Sequence, residues 1–475
     1  MEHITLLIGL VIATALVFDF TNGFHDTANA MATTISTGAL GPRVAVGMSA
    51  VLNLVGAFLS VEVAKTISGG IIDESAGIRP AMIFAALVGA IVWNLVTWLA
   101  GLPSSSSHAL FGGLIGATLV SVGAHGVNGD AVVTKVIIPA VAAPVVAGLA
   151  SMLATRLTYR LGRDADPAAT SRGYRAGQIA SAGLVSLAHG TNDAQKTMGV
   201  ITLALIAGGS LAPGSNPPLW VICTAGTAIA LGTYIGGWRI IRTVGRGITD
   251  IQPQQGFAAQ TGAAATILAS SHLGFALSTT QVCSGSVLGA GLGRRGAVVH
   301  WGTAGRMVAA WALTLPAAGL VAGGAAYLAD RGTWGVTTVG VIGLAVCVAV
   351  RTAARRKPVT HANVNEDAGA VAPAETAPDT AAAPAGSAAP AASAAAGPAP
   401  RGAQGSAAPA APSAPAVPAV QVVPVTVAVP APVPEPVSGT RPGPGPLHAP
   451  RSDAPSGPPV PAVAPHPPAS TATTV

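Results

Sequence analysis

The chain has 475 residues, a mean hydropathy of +0.58 and only 9% charged residues, which excludes an ordinary soluble domain and indicates a polytopic α-helical membrane protein. The formal charge of +6 is unevenly placed: 21 Lys and Arg against 12 Asp and Glu before residue 358, and 3 against 6 after it. The positive charge therefore belongs to the membrane part and its loops, and nucleic acid is not an expected partner.

The first apolar run covers about 4–37. It is long, uncharged at its start and lacks a small-residue cleavage site, so it reads as a retained helix and not a signal peptide. It is interrupted at Asn22-Gly23 by the motif Gly23-Phe24-His25-Asp26-Thr27-Ala28-Asn29-Ala30-Met31. A second run spans about 44–64. A third, 80–100, is followed after Pro103 by 104–122, the two arms of a hairpin. A fifth spans 132–155. A polar stretch, 156–175, carries Arg156, Arg160, Arg163, Arg172 and Arg175 and is expected to be a loop.

The series then restarts. A run over 176–208 is interrupted at Gly190-Thr191-Asn192-Asp193-Ala194-Gln195-Lys196-Thr197-Met198. Runs at 218–238, 256–273 with 276–292, and 297–328 follow. A last run, 333–350, ends at the basic stop Arg351, Arg355, Arg356, Lys357. The restart is an internal repeat. With Asp26 laid on Asp193, Gly23 falls on Gly190 and Met31 on Met198. With His108 laid on Gln281, Gly112 and Gly116 fall on Gly285 and Gly289.

The expected organisation is a first transmembrane repeat at 1–155, a basic cytoplasmic loop at 156–175, a second repeat at 176–329, and a last helix with its stop at 330–357. The basic clusters at 156–175, 239–246, 294–295 and 351–357 are assigned to the cytoplasm, and the loops near 66–78, 123–131 and 209–217 to the outside. Each repeat then crosses an odd number of times, so the second enters from the opposite side. The predicted fold is all-α: two inverted-topology repeats, each with a broken helix and a helical hairpin. Residues 358–475 are Ala, Pro, Ser and Gly without an aromatic residue. They are expected to be disordered and dispensable, a chain ending near residue 360 retaining activity. Cys223, Cys283 and Cys347 lie in apolar runs without metal-ligand spacing and read as buried small hydrophobes.

Intramembrane aspartates mark ion or substrate pathways. Ser104, Ser105, Ser106 and Ser107, and in the second half Ser278, Thr279 and Thr280, place hydroxyls at breaks between apolar segments. If each run opens a half-helix, free backbone N–H groups and the positive dipole end face the cavity, a setting for a tetrahedral oxyanion. A helix cap or turn is the competing reading, and duplication beside paired aspartates favours the anion site. Asp26 and Asp193 would repel an anion when bare, so a proton or cation must intervene. Asn29 and Asn192 offer neutral oxygens to a cation, and Lys196 can pair with Asp193 or contact the anion. His25 and His108 either relay protons or pack as neutral side chains. Gln281 stands opposite His108 in the repeat. Asp19 either lines the path or caps a kink, Glu62 and Lys65 form a helix-end ion pair, and Arg306 either approaches the anion path or snorkels. A Ser107-His108-Asp26 hydrolase lacks a nucleophile elbow and leaves the duplication unexplained.

These four motifs, Gly-Phe-His-Asp-Thr-Ala-Asn-Ala at 23–30, His-Gly-Thr-Asn-Asp-Ala-Gln-Lys at 189–196, the Pro-Ser-Ser-Ser-Ser-His hairpin at 103–108 and the Ser-Thr-Thr hairpin at 278–280, resemble the inorganic phosphate transporter (PiT) family over roughly residues 1–350. The first motif resembles the bacterial low-affinity branch. The resemblance implies a secondary transporter of the cytoplasmic membrane, not an enzyme. It would import inorganic phosphate with a cation: the proton is favoured, sodium is the alternative, and a metal–phosphate complex is a further form of the cargo. No resident cofactor or metal is expected. Sulfate is the competing oxyanion. His25, where many relatives have Asn, and Gln281, where many have His, bear on the coupling cation. Oligomeric state is left open, a homodimer included.

Overall fold

The computed structural model describes residues 2–72, 76–164 and 166–365, which belong to one compact unit. Thirteen long or functional helices follow the chain among them. They are α1 (Glu2–Ser36), α2 (Pro42–Gly56), α3 (Glu62–Gly69), α4 (Pro80–Leu99) and α5 (Ser106–Ser121). Then come α6 (Gly129–Leu161, with a π turn at Val133–Ile137), α7 (Pro167–Ala207), α8 (Leu219–Ile235) and α9 (Trp238–Arg246). Last are α10 (Pro253–His272), α11 (Thr279–Gly293), α12 (Trp301–Ala329) and α13 (Thr333–Arg356). Among the described residues α1, α4, α6, α12 and α13 are long and apolar enough to cross a membrane, and α8 with α9 forms an apolar pair bent by 69°, a broken span or a re-entrant loop.

Six helices repeat six: α1 to α6 correspond in order to α7 to α12. The packing follows the same pairing. The hairpin arm α5 packs on α12, and its counterpart α11 packs on α6; α1 packs on α8, and α7 on α2. Each half thus completes the other. The glycines that superpose in sequence sit at these crossings. A Cβ on Gly112 or Gly116 would meet the Leu315 or Gly319 carbonyl of α12, and one on Gly285 or Gly289 would meet the Pro144 or Gly148 carbonyl of α6. Gly289→Ala should therefore force α11 and α6 apart, at about 1–3 kcal/mol or more. Gly324→Ala, which meets nothing within 4 Å, should leave stability unchanged. Thermal unfolding of the two variants in detergent checks this; equal midpoints would contradict it.

The break in each repeat lies elsewhere than the sequence suggests. α1 and α7 run unbroken through Asn22-Gly23 and Thr191-Asn192. Gly23 and Gly190 do not bend the chain. They let α1 and α7 approach the Ile229 and Asn53 carbonyls, which is why a residue read as a breaker sits inside a helix. The breaks fall between α2 and α3, and between α8 and α9, where Gly236 has φ +78°. The short arms α3 and α9 escape a search for long apolar runs. The basic stretch 156–175 also differs: α6 continues to Leu161 and α7 begins at Pro167, capped by the Asp166 carboxylate on Ala168 and Ala169. Arg and Ala are good helix formers, so charge alone did not make a loop. The Glu62–Lys65 pair forms as expected, at 2.9 Å. Cys283 is buried, but Cys347 is only partly so and Cys223 is exposed.

The expected disordered tail divides. Residues 366–475 lie outside the described residues. Residues 358–365 instead fold back on α9 and the end of α1. Arg242 donates to the Asn363 carbonyl, Asn365 to the Ile35 carbonyl at 3.5 Å, and Val364 is 2% exposed. Val364 joins Ile35, Ile241 and Val244 in the apolar cluster at that end. A chain ending after residue 365 should keep the full protein's unfolding midpoint. One ending after residue 357 should lose about 1.5–3 kcal/mol from Val364 alone. Equal midpoints for the two truncations would contradict the packing role of this segment.

Candidate functional site

Two apolar clusters fill the interior, one around the first half of α1 and one around its second half. Between them lies a buried polar layer from the middle of α1 and α7 and the N-terminal ends of α5 and α11. Both hairpin arms begin there as the hydroxyl runs require. Ser105 caps α5 by accepting from the His108 amide, and Ser278 caps α11 by accepting from the Gln281 amide. The half-helix openings are present, and each of these two hydroxyls accepts the capping hydrogen bond with its own proton left to donate.

The other hydroxyls turn to the aspartates. Asp26 accepts from Ser106 at 2.8 Å, Thr280 at 3.2 Å and Thr279 at 3.4 Å, and lies 2.6 Å from His25 Nδ1. Asp193 accepts from Lys196 at 2.5 Å and Thr279 at 3.1 Å, with His189 Nε2 at 3.2 Å and Asn22 Nδ2 at 3.4 Å. Thr279 thus stands between the two carboxylates, and its one hydroxyl proton serves either of them. Lys196 uses all three of its N–H bonds, on Asp193, on Ser107 at 2.6 Å and on the Leu277 carbonyl at 3.0 Å.

Several contacts recur in both halves. Asn29 reaches Thr280 across the repeats at 3.1 Å, as Lys196 reaches Ser107. Asn22 reaches Asp193, as His189 approaches Asp26 at 3.9 Å. Asn22 and His189 occupy equivalent positions, 167 residues apart like the aspartates. The sequence reading gave neither a role; the repeat offset was the signal that marks both. Asp26, His189 and Asp193 offer ligand atoms within 4.8 Å of one another, all buried, a set that fits a cation.

Some expected residues stand apart from this centre. Ser104 is held by Thr97 at 2.7 Å and lies 3.3 Å from His25 Nε2. Asn192 gives its amide to Ser271 at 2.9 Å, and its oxygen has no partner among the described residues. His108 and Gln281 contact each other at 3.4 Å and line the polar end of an apolar cavity of about 610 Å³ between α6, α11 and α12. They are not on the carboxylates, because their positions lie one step beyond the hydroxyls on α5 and α11. Arg306 is exposed and bonds Thr303, away from the site.

Duplicated bundles that share one buried, charged centre define a multi-pass membrane transporter. The profile of the phosphate transporter family matches the chain twice, over residues 22–172 and 162–322. The chain belongs to that family. It is 57% identical over 366 residues to a probable low-affinity inorganic phosphate transporter of Mycobacterium bovis, covering 76% of this chain and 87% of that one. Probable low-affinity inorganic phosphate transporters of Rhizobium meliloti and Bacillus subtilis are 45% and 43% identical, covering 68% and 66% of this chain and 97% and 95% of theirs. A solved structure described as the sodium-dependent phosphate transporter shares the fold, with a TM-score of 0.61 at 24% identity, covering 68% of this chain and 99% of that one. The relatives are transporters, so a hydrolase reading of Ser107 and His108 is set aside.

Proposed function

We propose that this chain imports inorganic phosphate across the cytoplasmic membrane by symport with a cation, through two repeats of opposite topology, with the C-terminal end inside. One observation carries the reading: the donors suited to an oxyanion, Ser106, Thr279, Thr280 and Lys196, are held by Asp26 and Asp193. Carboxylate and phosphate compete for the same donors. A proton or cation on the aspartates weakens their hold and removes the repulsion, so hydroxyls and ammonium can turn to phosphate. Without it, phosphate would have to displace charge-assisted hydrogen bonds of about 1.5–3 kcal/mol each. Coupling is then a property of the donor set itself.

The proton is the favoured partner, because imidazoles touch both carboxylates: His25 on Asp26 and His189 on Asp193. The Asp26–His189–Asp193 set also suits a sodium or divalent ion carried with the anion. Uptake of labelled phosphate into proteoliposomes, with sulfate as competitor, tests the substrate. Phosphate uptake unaffected by excess sulfate is expected. Sulfate uptake at an equal rate would overturn the substrate assignment.

A further inference from the structure

Asp19 is the third carboxylate in the interior, and it differs from the other two. It lies on α1 at a spacing that shares a helix face with Asn22 and Asp26. It is 0% exposed, and neither carboxylate oxygen has a hydrogen-bond partner among the described residues. Thr197 faces it from α7 with its own hydroxyl unpartnered, and the Asn22 side-chain oxygen is a further buried oxygen without a donor. The charged groups around it are Asp193, His189 and Lys196. Lys196 is fully engaged by Asp193, Ser107 and the Leu277 carbonyl. α4 and α8, which pack along α1, carry no Asp, Glu, Lys, Arg or His. The arginines of α9 lie toward the other end of α1, where Gly245 meets Ala32 and Ser36.

The second repeat shows what the fold alone needs here. The residue equivalent to Asp19 is Ser186, a neutral side chain bonded to Ser49 at 2.9 Å and to the Ala182 carbonyl at 3.0 Å. The acid therefore belongs to one half only and has no structural counterpart. A carboxylate in such a place, with only the Thr197 hydroxyl facing it as a donor, is held neutral by a proton or compensated by a cation.

We propose that Asp19 is a third cation-binding carboxylate, taking up one monovalent cation, a proton or a sodium ion, in each transport cycle beside the Asp26–Asp193 pair. The inference rests on the symport reading above. The Thr197 hydroxyl, which faces Asp19 from α7, offers the ion a further oxygen. Asp19 thereby adds one charge to the coupling stoichiometry without touching phosphate.

The test is the number of cations carried per phosphate. It is read from the membrane potential at which labelled phosphate flux reverses in proteoliposomes, with pH and sodium gradients set separately. Asp19→Asn, and Asp19→Ser as in the second repeat, should each lower that number by one, and Asp19→Glu should preserve it. The gradient that loses its influence identifies the ion. An unchanged number in the Asn and Ser variants would overturn the proposal. If those variants are monodisperse but carry no flux, proton uptake and radiolabelled sodium binding by the purified protein decide: one cation fewer supports the proposal, and no change contradicts it. Failure of both variants to fold makes Asp19 a packing residue and equally overturns it. Absence of phosphate flux in the unaltered protein would instead contradict the symport reading.

Discussion

Asp26→Asn and Asp193→Asn should each abolish accumulation of phosphate against its gradient, while phosphate binding persists or tightens. The amide keeps the size of the carboxylate and much of its hydrogen bonding but removes the charge. Asp26 gathers Ser106, Thr279, Thr280 and His25; Asp193 gathers Lys196, Thr279, His189 and Asn22. Without the charge, these donors are held less strongly and are available to phosphate with no cation bound. Binding is then uncoupled from the gradient. Thr279→Ala and Ser106→Ala should behave oppositely, weakening phosphate binding by about 0.5–1.5 kcal/mol each with coupling intact. Ser105→Ala should act through the α5 cap instead, with a loss of about 1 kcal/mol in stability. Uptake and equilibrium binding measured on the same preparations separate the three. Normal accumulation by the Asn variants would make the aspartates structural.

Lys196→Met should be the most destabilising single change at the site. Lys196 is 1% exposed and is the ammonium that compensates Asp193. Its removal leaves a buried carboxylate short of charge and takes a donor from Ser107 and from the Leu277 carbonyl. The expected cost is about 3–5 kcal/mol. Adding Asp193→Asn removes the uncompensated charge and should recover much of that loss, although transport stays absent. A cycle of single and double variants, followed by thermal unfolding in detergent, reads the coupling directly. A Lys196→Met protein as stable as the parent would show that Asp193 does not depend on the ammonium.

The long helices were legible because apolar length and repeat spacing are strong signals. The pairing of Asp26 with Asp193, and of the two hydroxyl runs, followed from the same spacing, and both pairs converge as expected. What escaped was what composition disguises. α9 carries Arg239, Arg242 and Arg246, so in sequence it is only a basic cluster after an apolar run, although its apolar Ile240, Ile241 and Val244 are buried. Asn22-Gly23 read as a helix break, although the glycine serves a close crossing and the asparagine reaches Asp193. Val364 anchors the segment after α13 from within a polar, alanine-rich surrounding, so no run marked it. Ser105 and Ser278 share their motif with Ser106, Thr279 and Thr280, and only the backbone shows that they also accept the capping hydrogen bonds of α5 and α11.

The competition between carboxylate and phosphate for one donor set is tested most directly by phosphate affinity as a function of cation. Equilibrium binding of labelled phosphate to the purified protein is measured across pH at zero sodium, and across sodium at fixed pH, for the parent and for Asp26→Asn with Asp193→Asn. In the parent, affinity should rise as protons or sodium are added, and in the double variant the part of this dependence that belongs to Asp26 and Asp193 should be lost. A parent protein that binds phosphate equally well at every proton and sodium concentration would contradict the account.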